Sequence, residues 1–503
     1  MAVQIIIFCI YVLILAAIAI YSRRKARTLN DFFLGGRKMG AWMTAFAYGT
    51  TYFSAVIFMG YAGKFGWSMG VSVTWIGIAN AIIGTLVVWL LMAKPTREIT
   101  HRLDASTMPD FFKKRYQSQN MKILAAVLIF IFLVPYCASV YQGLGYFFEM
   151  IFKPIGLTYE YCMVAMAVIT AFYLLIGGYV ATALADFIQG LVMIVGVVIM
   201  VFLVLGNEAV GGLTAGLSKL AEVPDVGPGL AAPFGSPENA IGLISLVLLT
   251  SLGTWGLPQM VHKFYAIRDA KAIKRGTVIS TLFSLVIGGC AYFVGGFGRL
   301  FPGIDATNPD NIMGQVLGQA LPPVMLGLIL VLLLSASMST LSSLVLVSSS
   351  SISMDLIKGV VKPNMKDKKV MVWMRSLCAV FVAVSLVIAL LQPAAIVTLM
   401  SYSWGALSGC FLAPFLYGVR WKGMTKAGAW SGFIVGLGIT VPLMIFNAIG
   451  GILPKWMSPP TIGAMAMIAS LIITPVVSVV SAKFSAEHIE SVFGQEAQEV
   501  QEA

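Results

Sequence analysis

Two stretches of this chain leave it very few ways to fold. Residues 321–354 contain no Asp, Glu, Lys, Arg or His, and neither do the 44 positions from 376 to 419. About 20 apolar residues cross the hydrocarbon core of a bilayer, and uncharged runs of this length are read as membrane-spanning. The second run is too long for one crossing. Gln392-Pro393 divides it, since proline cannot continue a helix interior. Comparable runs recur along the whole sequence. The expected fold is an all-α polytopic membrane protein with about 13 transmembrane helices, centred near residues 12, 52, 82, 135, 170, 196, 250, 286, 335, 382, 406, 440 and 470. Composition agrees: 11% of residues are charged, against roughly 25% in a soluble domain.

A net charge of +12 would invite an acidic partner in a soluble chain. Its distribution points elsewhere. When alternate loops are assigned to opposite sides of the membrane, 28 of the Lys and Arg residues fall on one side. Five fall on the other: Lys64, Lys153, Lys219, Arg299 and Lys455. Basic residues collect in cytoplasmic loops, so the N-terminus is expected outside and the C-terminus in the cytoplasm, in the plasma membrane. The excess charge is topological and implies no nucleic acid. Lys263 to Arg275 count here as one inner loop with five basic residues.

The first span begins near Val3 with no basic residues before it and no small-residue cleavage pattern behind it. Arg23-Arg24-Lys25 follow, so it is expected to be a retained helix. The six cysteines fall inside expected spans and form no Cys-x-x-Cys pair, which suggests neither a disulfide framework nor a metal site. Enzyme chemistry has little support. His101, His262 and His488 read as loop or tail residues, and no span holds a carboxylate pair. Gly66-Trp67-Ser68-Met69-Gly70 fits a nucleophile-elbow pattern, but that turn needs a strand before it, and here it joins two spans. No cofactor is expected.

Two spans look interrupted at matching places. One carries Ala47-Tyr48-Gly49-Thr50-Thr51-Tyr52-Phe53-Ser54-Ala55, the other Ser251-Leu252-Gly253-Thr254-Trp255-Gly256-Leu257-Pro258-Gln259. Corresponding breaks in two halves point to a transporter binding site, although glycines also serve close helix packing in membranes. Each interrupted span opens a set of five. An odd number per set makes the halves inverted, at about residues 41–206 and 240–418. Around them lie an N-terminal helix and basic loop (1–40), an outer loop (207–239), two C-terminal helices (419–484) and an acidic tail (485–503), amphipathic or disordered.

Chemistry concentrates in three places. Hydroxyls crowd Ser335-Ala336-Ser337-Met338-Ser339-Thr340-Leu341-Ser342-Ser343 in mid-membrane. Serine and threonine usually bond back to a carbonyl one turn earlier, which accounts for Ser348 to Ser351 and Ser353. Ser339 and Thr340 face a wedge about 100° wide, and with carbonyls freed at a broken helix they make a Na⁺ cage. Asp186 opens the sixth span. A carboxylate at mid-membrane costs ~2.5–3.5 kcal/mol and marks an ion pathway; one at a helix start near the surface merely suits the helix dipole. The third place is a set of mid-depth polar and aromatic residues: Tyr52, Ser54, Tyr136, Gln142, Thr254, Trp255, Gln259, Tyr402 and Trp404.

Phe33-Leu34-Gly35-Gly36-Arg37-Lys38-Met39-Gly40, Ile176-Gly177-Gly178 with Asp186 and Gln189, and Ser337-Met338-Ser339-Thr340-Leu341-Ser342 occur in that order. Together they resemble the sodium:solute symporter family, which includes bacterial sodium/proline and sodium/pantothenate permeases. The resemblance implies a five-plus-five inverted repeat with one extra N-terminal and two extra C-terminal helices. It also implies Na⁺-coupled import of a small organic solute by alternating access. The solute would be an amino acid such as proline or a carboxylate such as pantothenate. An uncoupled channel or facilitator and a proton-coupled transporter remain alternatives. By motif position, sodium would bind the backbone oxygens of Thr50, Phe53 and Ala336 and the hydroxyls of Ser339 and Thr340. Asp186 would couple the ion. Solute would lie near Tyr52, Ser54, Tyr136, Gln142, Thr254 and Trp255. Tyr52 stands where the proline permeases carry an aspartate.

Overall fold

The computed structural model describes residues 2–23 and 33–494, with the side chains at 19, 22, 23 and 173–181 outside the description. The side chain of Tyr179, the basic residues Arg24, Lys25 and Arg27, and Glu496, Glu499 and Glu502 therefore lie outside the described residues. Among those described there is no β-strand; the single isolated bridge joins Met39 to Ile267.

Ten helical stretches are long and apolar enough to cross a membrane, and two shorter apolar helices, Ala2–Ile18 and Tyr159–Phe172, accompany them. One of the ten, Ala41–Arg102, is 62 residues long and reverses at Gly70, whose φ of 63° lies in the left-handed region. It therefore makes two crossings, which brings the total to the expected thirteen. Tyr159–Gly206 is continuous helix by backbone assignment, yet it too passes the membrane twice. Thr170 meets Met338, and Gly196 packs on Leu332. Residues 170 and 196 would stand about 39 Å apart in a straight helix, but 332 and 338 are only about 9 Å apart.

The second span breaks after Ala41–Tyr52, where Phe53 turns extended (ψ 112°). The seventh breaks after Ala240–Gly256, where Leu257 does the same (ψ 123°). The last regular bonds are equivalent: Phe53 N–H to the Gly49 carbonyl and Leu257 N–H to the Gly253 carbonyl, both 3.2 Å. The causes differ. Pro258 brings no N–H to continue the seventh helix. In the second, the Ser54 hydroxyl accepts the Val56 N–H at 3.3 Å and starts a new helix in the manner of an N-cap.

Contacts give the relative directions. Gly49 packs on Phe283 and Gly66 on Gly295, so the second span runs parallel to the eighth (Ala270–Gly295). The eighth follows the seventh after a short turn and runs against it. The two broken helices are thus antiparallel, and spans two to six and seven to eleven form the inverted repeat.

The tail forms the helix Ala486–Phe493, capped by Ser485 and docked on the body. His488 Nε2 lies 2.9 Å from the Arg115 carbonyl, and Arg102 donates to the Val492 carbonyl at 2.8 Å. The buried Arg115 guanidinium sits over Phe484 and Phe493, 5.6 and 5.3 Å from their centroids, at cation–π distance.

Close backbone approach fixes the spacing of the third and eighth spans. A Cβ at Gly77 would stand 2.4 Å from the Gly288 carbonyl carbon, whereas one at Gly289 meets nothing within 4 Å. Gly77→Val should destabilise the protein by about 1–3 kcal/mol, the usual cost of overpacking, and Gly289→Ala should leave it unchanged. Thermal melts of the detergent-solubilised variants check this; equal melting of the two would contradict the packing.

Candidate ion and substrate site

The break in the second span removes two helical bonds, and the ninth span (Pro323–Ser350) replaces them. In an unbroken helix the Thr50 and Thr51 carbonyls would receive the N–H groups of Ser54 and Ala55. Here the Ala55 N–H donates instead to Ser337 Oγ at 3.1 Å. Thr340 Oγ1 comes to 3.3 Å from the Thr50 carbonyl, 3.1 Å from that of Thr51 and 3.1 Å from that of Ala336. One hydroxyl proton faces three carbonyl oxygens, so the cluster is short of positive charge. Beside it Ser339 Oγ donates to Thr50 Oγ1 at 2.8 Å, and Thr50 Oγ1 donates to the Phe46 carbonyl at 2.8 Å. All these residues are buried. Oxygen-only surroundings with surplus acceptors suit a small hard cation.

Thr50, Ala336, Ser339 and Thr340 thus converge. Phe53 is buried at the break itself. Further along the span, Ser350 donates to Val347, Ser351 to Ser348 and Ser353 to Ser349, as back-bonding predicts, whereas the buried Ser348 and Ser349 hydroxyls, for which the same was expected, make no such bond.

Asp186 lies one turn before Gly190, which packs on Phe46 and Thr50. It is 1% exposed and 3.9 Å from the Lys263 ammonium, itself 1% exposed. The sequence reading placed Lys263 and His262 in an inner loop, and this is corrected. Both lie in Pro258–Ala266, the second half of the broken seventh span, and both are buried. Lys263 Nζ also donates to Ser343 Oγ at 3.0 Å, which is 3.0 Å from Thr51 Oγ1. A continuous polar path therefore runs from Asp186 through Lys263 and Ser343 to the oxygen cluster.

The profile of the sodium:solute symporter family matches residues 32–436. This chain belongs to the sodium:solute symporter family. It is similar to the osmoregulated proline transporter OpuE of Bacillus subtilis, 29% identical over 94% of this chain and 95% of that protein. It is 31% identical to the sodium/proline symporter of Staphylococcus aureus, over 89% and 88%. A Na⁺-coupled sialic acid symporter solved in a substrate-bound outward-open state shares its fold, with a TM-score of 0.74, 16% identity and coverage of 96% and 99%. A nucleobase-cation-symport-1 family transporter in a closed conformation gives a TM-score of 0.57 at 16% identity, over 92% and 97%. The protein is a Na⁺-coupled symporter of a small solute and not an enzyme.

The residues expected to face the symporter's solute separate into groups. Tyr52 stacks on Phe53 (centroids 4.6 Å) and on Trp404 (6.3 Å), and Tyr136 meets Trp404 edge-on at 5.7 Å. The Tyr52 hydroxyl donates to the Thr250 carbonyl at 2.7 Å. Ser54 caps the broken helix. Thr254 and Trp255 turn toward the third span, donating to the Gly84 carbonyl at 2.9 Å and the Ile83 carbonyl at 3.1 Å. Gln142 sits apart, 3.5 Å from the Ala394 carbonyl at the start of the eleventh span. The Oε1 atoms of Gln142 and Gln259 are buried without a donor among the described residues. Asn80, unremarked in the sequence, accepts from Thr250 at 2.8 Å and Ser251 at 3.0 Å. Tyr48 reaches the Gly84 carbonyl at 2.7 Å.

Ser337 and Ser342 offer a direct contrast. Ser337 accepts across the helix pair, whereas Ser342 donates to the Ser339 carbonyl of its own helix at 2.9 Å. Ser337→Ala should cost about 1–3 kcal/mol by leaving a buried N–H unmade; Ser342→Ala should cost a few tenths at most. Melting curves of the two variants in detergent would show equal shifts if the Ala55–Ser337 bond did not support the break.

Proposed function

We propose that this symporter imports proline or a closely related small amino acid with sodium across the cytoplasmic membrane, with its N-terminus outside and its C-terminus inside. The cargo class follows the two relatives named for proline transport, similar to this chain over most of its length. The observation that carries the ion assignment is the Thr340 hydroxyl among the carbonyls of Thr50, Thr51 and Ala336. Sodium there would supply the positive charge that one proton cannot, bound by the oxygens of Thr50, Phe53, Ala336, Ser339 and Thr340. It would pin the broken second span to the ninth and hold the binding region of the halves 41–206 and 240–418 ready for solute. The solute would pack on Tyr52, Tyr136 and Trp404 near the break. Each ligand then raises the affinity of the other, and such coupling is reciprocal.

Uptake of radiolabelled proline into proteoliposomes under an inward sodium gradient tests this. Accumulation above equilibrium is expected, abolished when choline replaces sodium, with pantothenate and other carboxylates failing to compete. Ser339→Ala and Thr340→Ala should raise the half-saturating sodium concentration on the order of tenfold, the loss of one charge-assisted bond, with normal insertion. An unchanged sodium dependence in both variants would remove the ion assignment. Competition by pantothenate but not by amino acids would move the cargo to the carboxylates.

A further inference from the structure

The sodium reading uses Asp186 and the oxygen cluster but gives no task to Lys263. Its position is unusual. Lysine is rarely buried unless paired, and an ionisable residue within the membrane is a functional candidate by default. Lys263 lies in the helix that follows one break, and its ammonium contacts both arms of the ion region. On one side is the Asp186 carboxylate at 3.9 Å; on the other is Ser343 Oγ at 3.0 Å, one turn from Thr340 on the ninth span and 3.0 Å from Thr51 Oγ1. A carboxylate this close to the oxygen cluster would by itself bind sodium firmly and hold it. A fixed positive charge between the two opposes that.

We propose that Lys263 is a tethered counter-cation that competes with sodium for Asp186, weakening ion binding enough for release. This rests on the sodium site proposed above. When the oxygen cluster is empty, the ammonium neutralises Asp186 and keeps the region closed without an ion. When sodium enters, the lysine charge, less than two helical turns away, lowers its affinity. At that range in a partly desolvated site a unit charge changes binding by on the order of tenfold or more. Sodium leaving toward Asp186 meets a carboxylate that already has a partner, so it passes instead of lodging there. The residue thereby tunes affinity against turnover.

Purified protein in lipid nanodiscs, titrated with NaCl at constant ionic strength in choline chloride, gives the sodium midpoint from intrinsic tryptophan fluorescence and from thermal stabilisation. Lys263→Met should lower that midpoint about tenfold and slow sodium-driven uptake, whereas Lys263→Arg should stay within about threefold of the parent. Asp186→Asn removes the carboxylate that faces the ammonium and should weaken sodium. Adding Lys263→Met to it should recover about tenfold in affinity. That second pair decides the matter even if Lys263→Met alone fails to fold, because its members differ only in the ammonium. A midpoint equal in Asp186→Asn and the double variant, or a midpoint in Lys263→Met no tighter than the parent's, overturns the inference. A parent protein with no sodium response would instead overturn the sodium site itself.

Discussion

The structure depends on an exchange of hydrogen bonds between two helices. Among the groups that lose their helical partners at the break in the second span are the Thr50 and Thr51 carbonyls and the Ala55 N–H. In a membrane such groups are costly, because no water reaches them. The ninth span supplies Ser337 to the N–H and Thr340 to the carbonyls. The repair is deliberately incomplete in one respect: Thr340 has one proton for three acceptors. If sodium binds here as proposed, that shortage is what the ion would relieve, and the tightness of the junction would depend on whether the ion is present.

The inverted repeat produces its two breaks by different chemistry, and this matters for what each can do. At the seventh-span break Pro258 has no N–H to continue the helix. The second-span break rests on Ser54, Ser337 and Thr340, all hydroxyls with exchangeable partners. The seventh span is tied to the second and third by several side-chain bonds: Tyr52 to Thr250, Thr254 to Gly84, and Thr250 and Ser251 to Asn80. These bonds join spans two, three and seven to one another. On the proposed site, their seam with the ninth span is the part that an ion would tighten or loosen.

Much of this was legible in the sequence because bilayers leave few options. Uncharged runs, a loop-charge asymmetry and one proline gave thirteen crossings, and paired glycine-rich interruptions gave the repeat. Ser339 and Thr340 stood out because two adjacent hydroxyls exceed what back-bonding to the same helix explains. Lys263 did not stand out. A basic residue five positions after a proline, followed by Arg268, Lys271, Lys274 and Arg275, has the pattern of a cytoplasmic loop. Only the extra helix Pro258–Ala266 carries it back into the protein. Asn80 was hidden for a related reason: a lone amide in an apolar span gives no sign of which face it occupies. Thr254 and Trp255 lie near a break, as their sequence shows, yet helix rotation directs them to the third span.

Tyr52 bears on how the ion and the cargo are linked. A carboxylate at this position would add a second negative charge within reach of the oxygen cluster and compete for the same cation. The phenol instead donates to the seventh span and lays its ring between Phe53 and Trp404. The only acidic group among the described residues paired across this polar path is then Asp186, and its partner is Lys263. On the proposed site, ion binding would be governed by neutral oxygens near the break and by one balanced ion pair beneath it. On the proposed sites, a solute settling on the Tyr52–Trp404 ring pair would press directly on the helix whose carbonyls would hold the ion, and the two sites would share a single mechanical element.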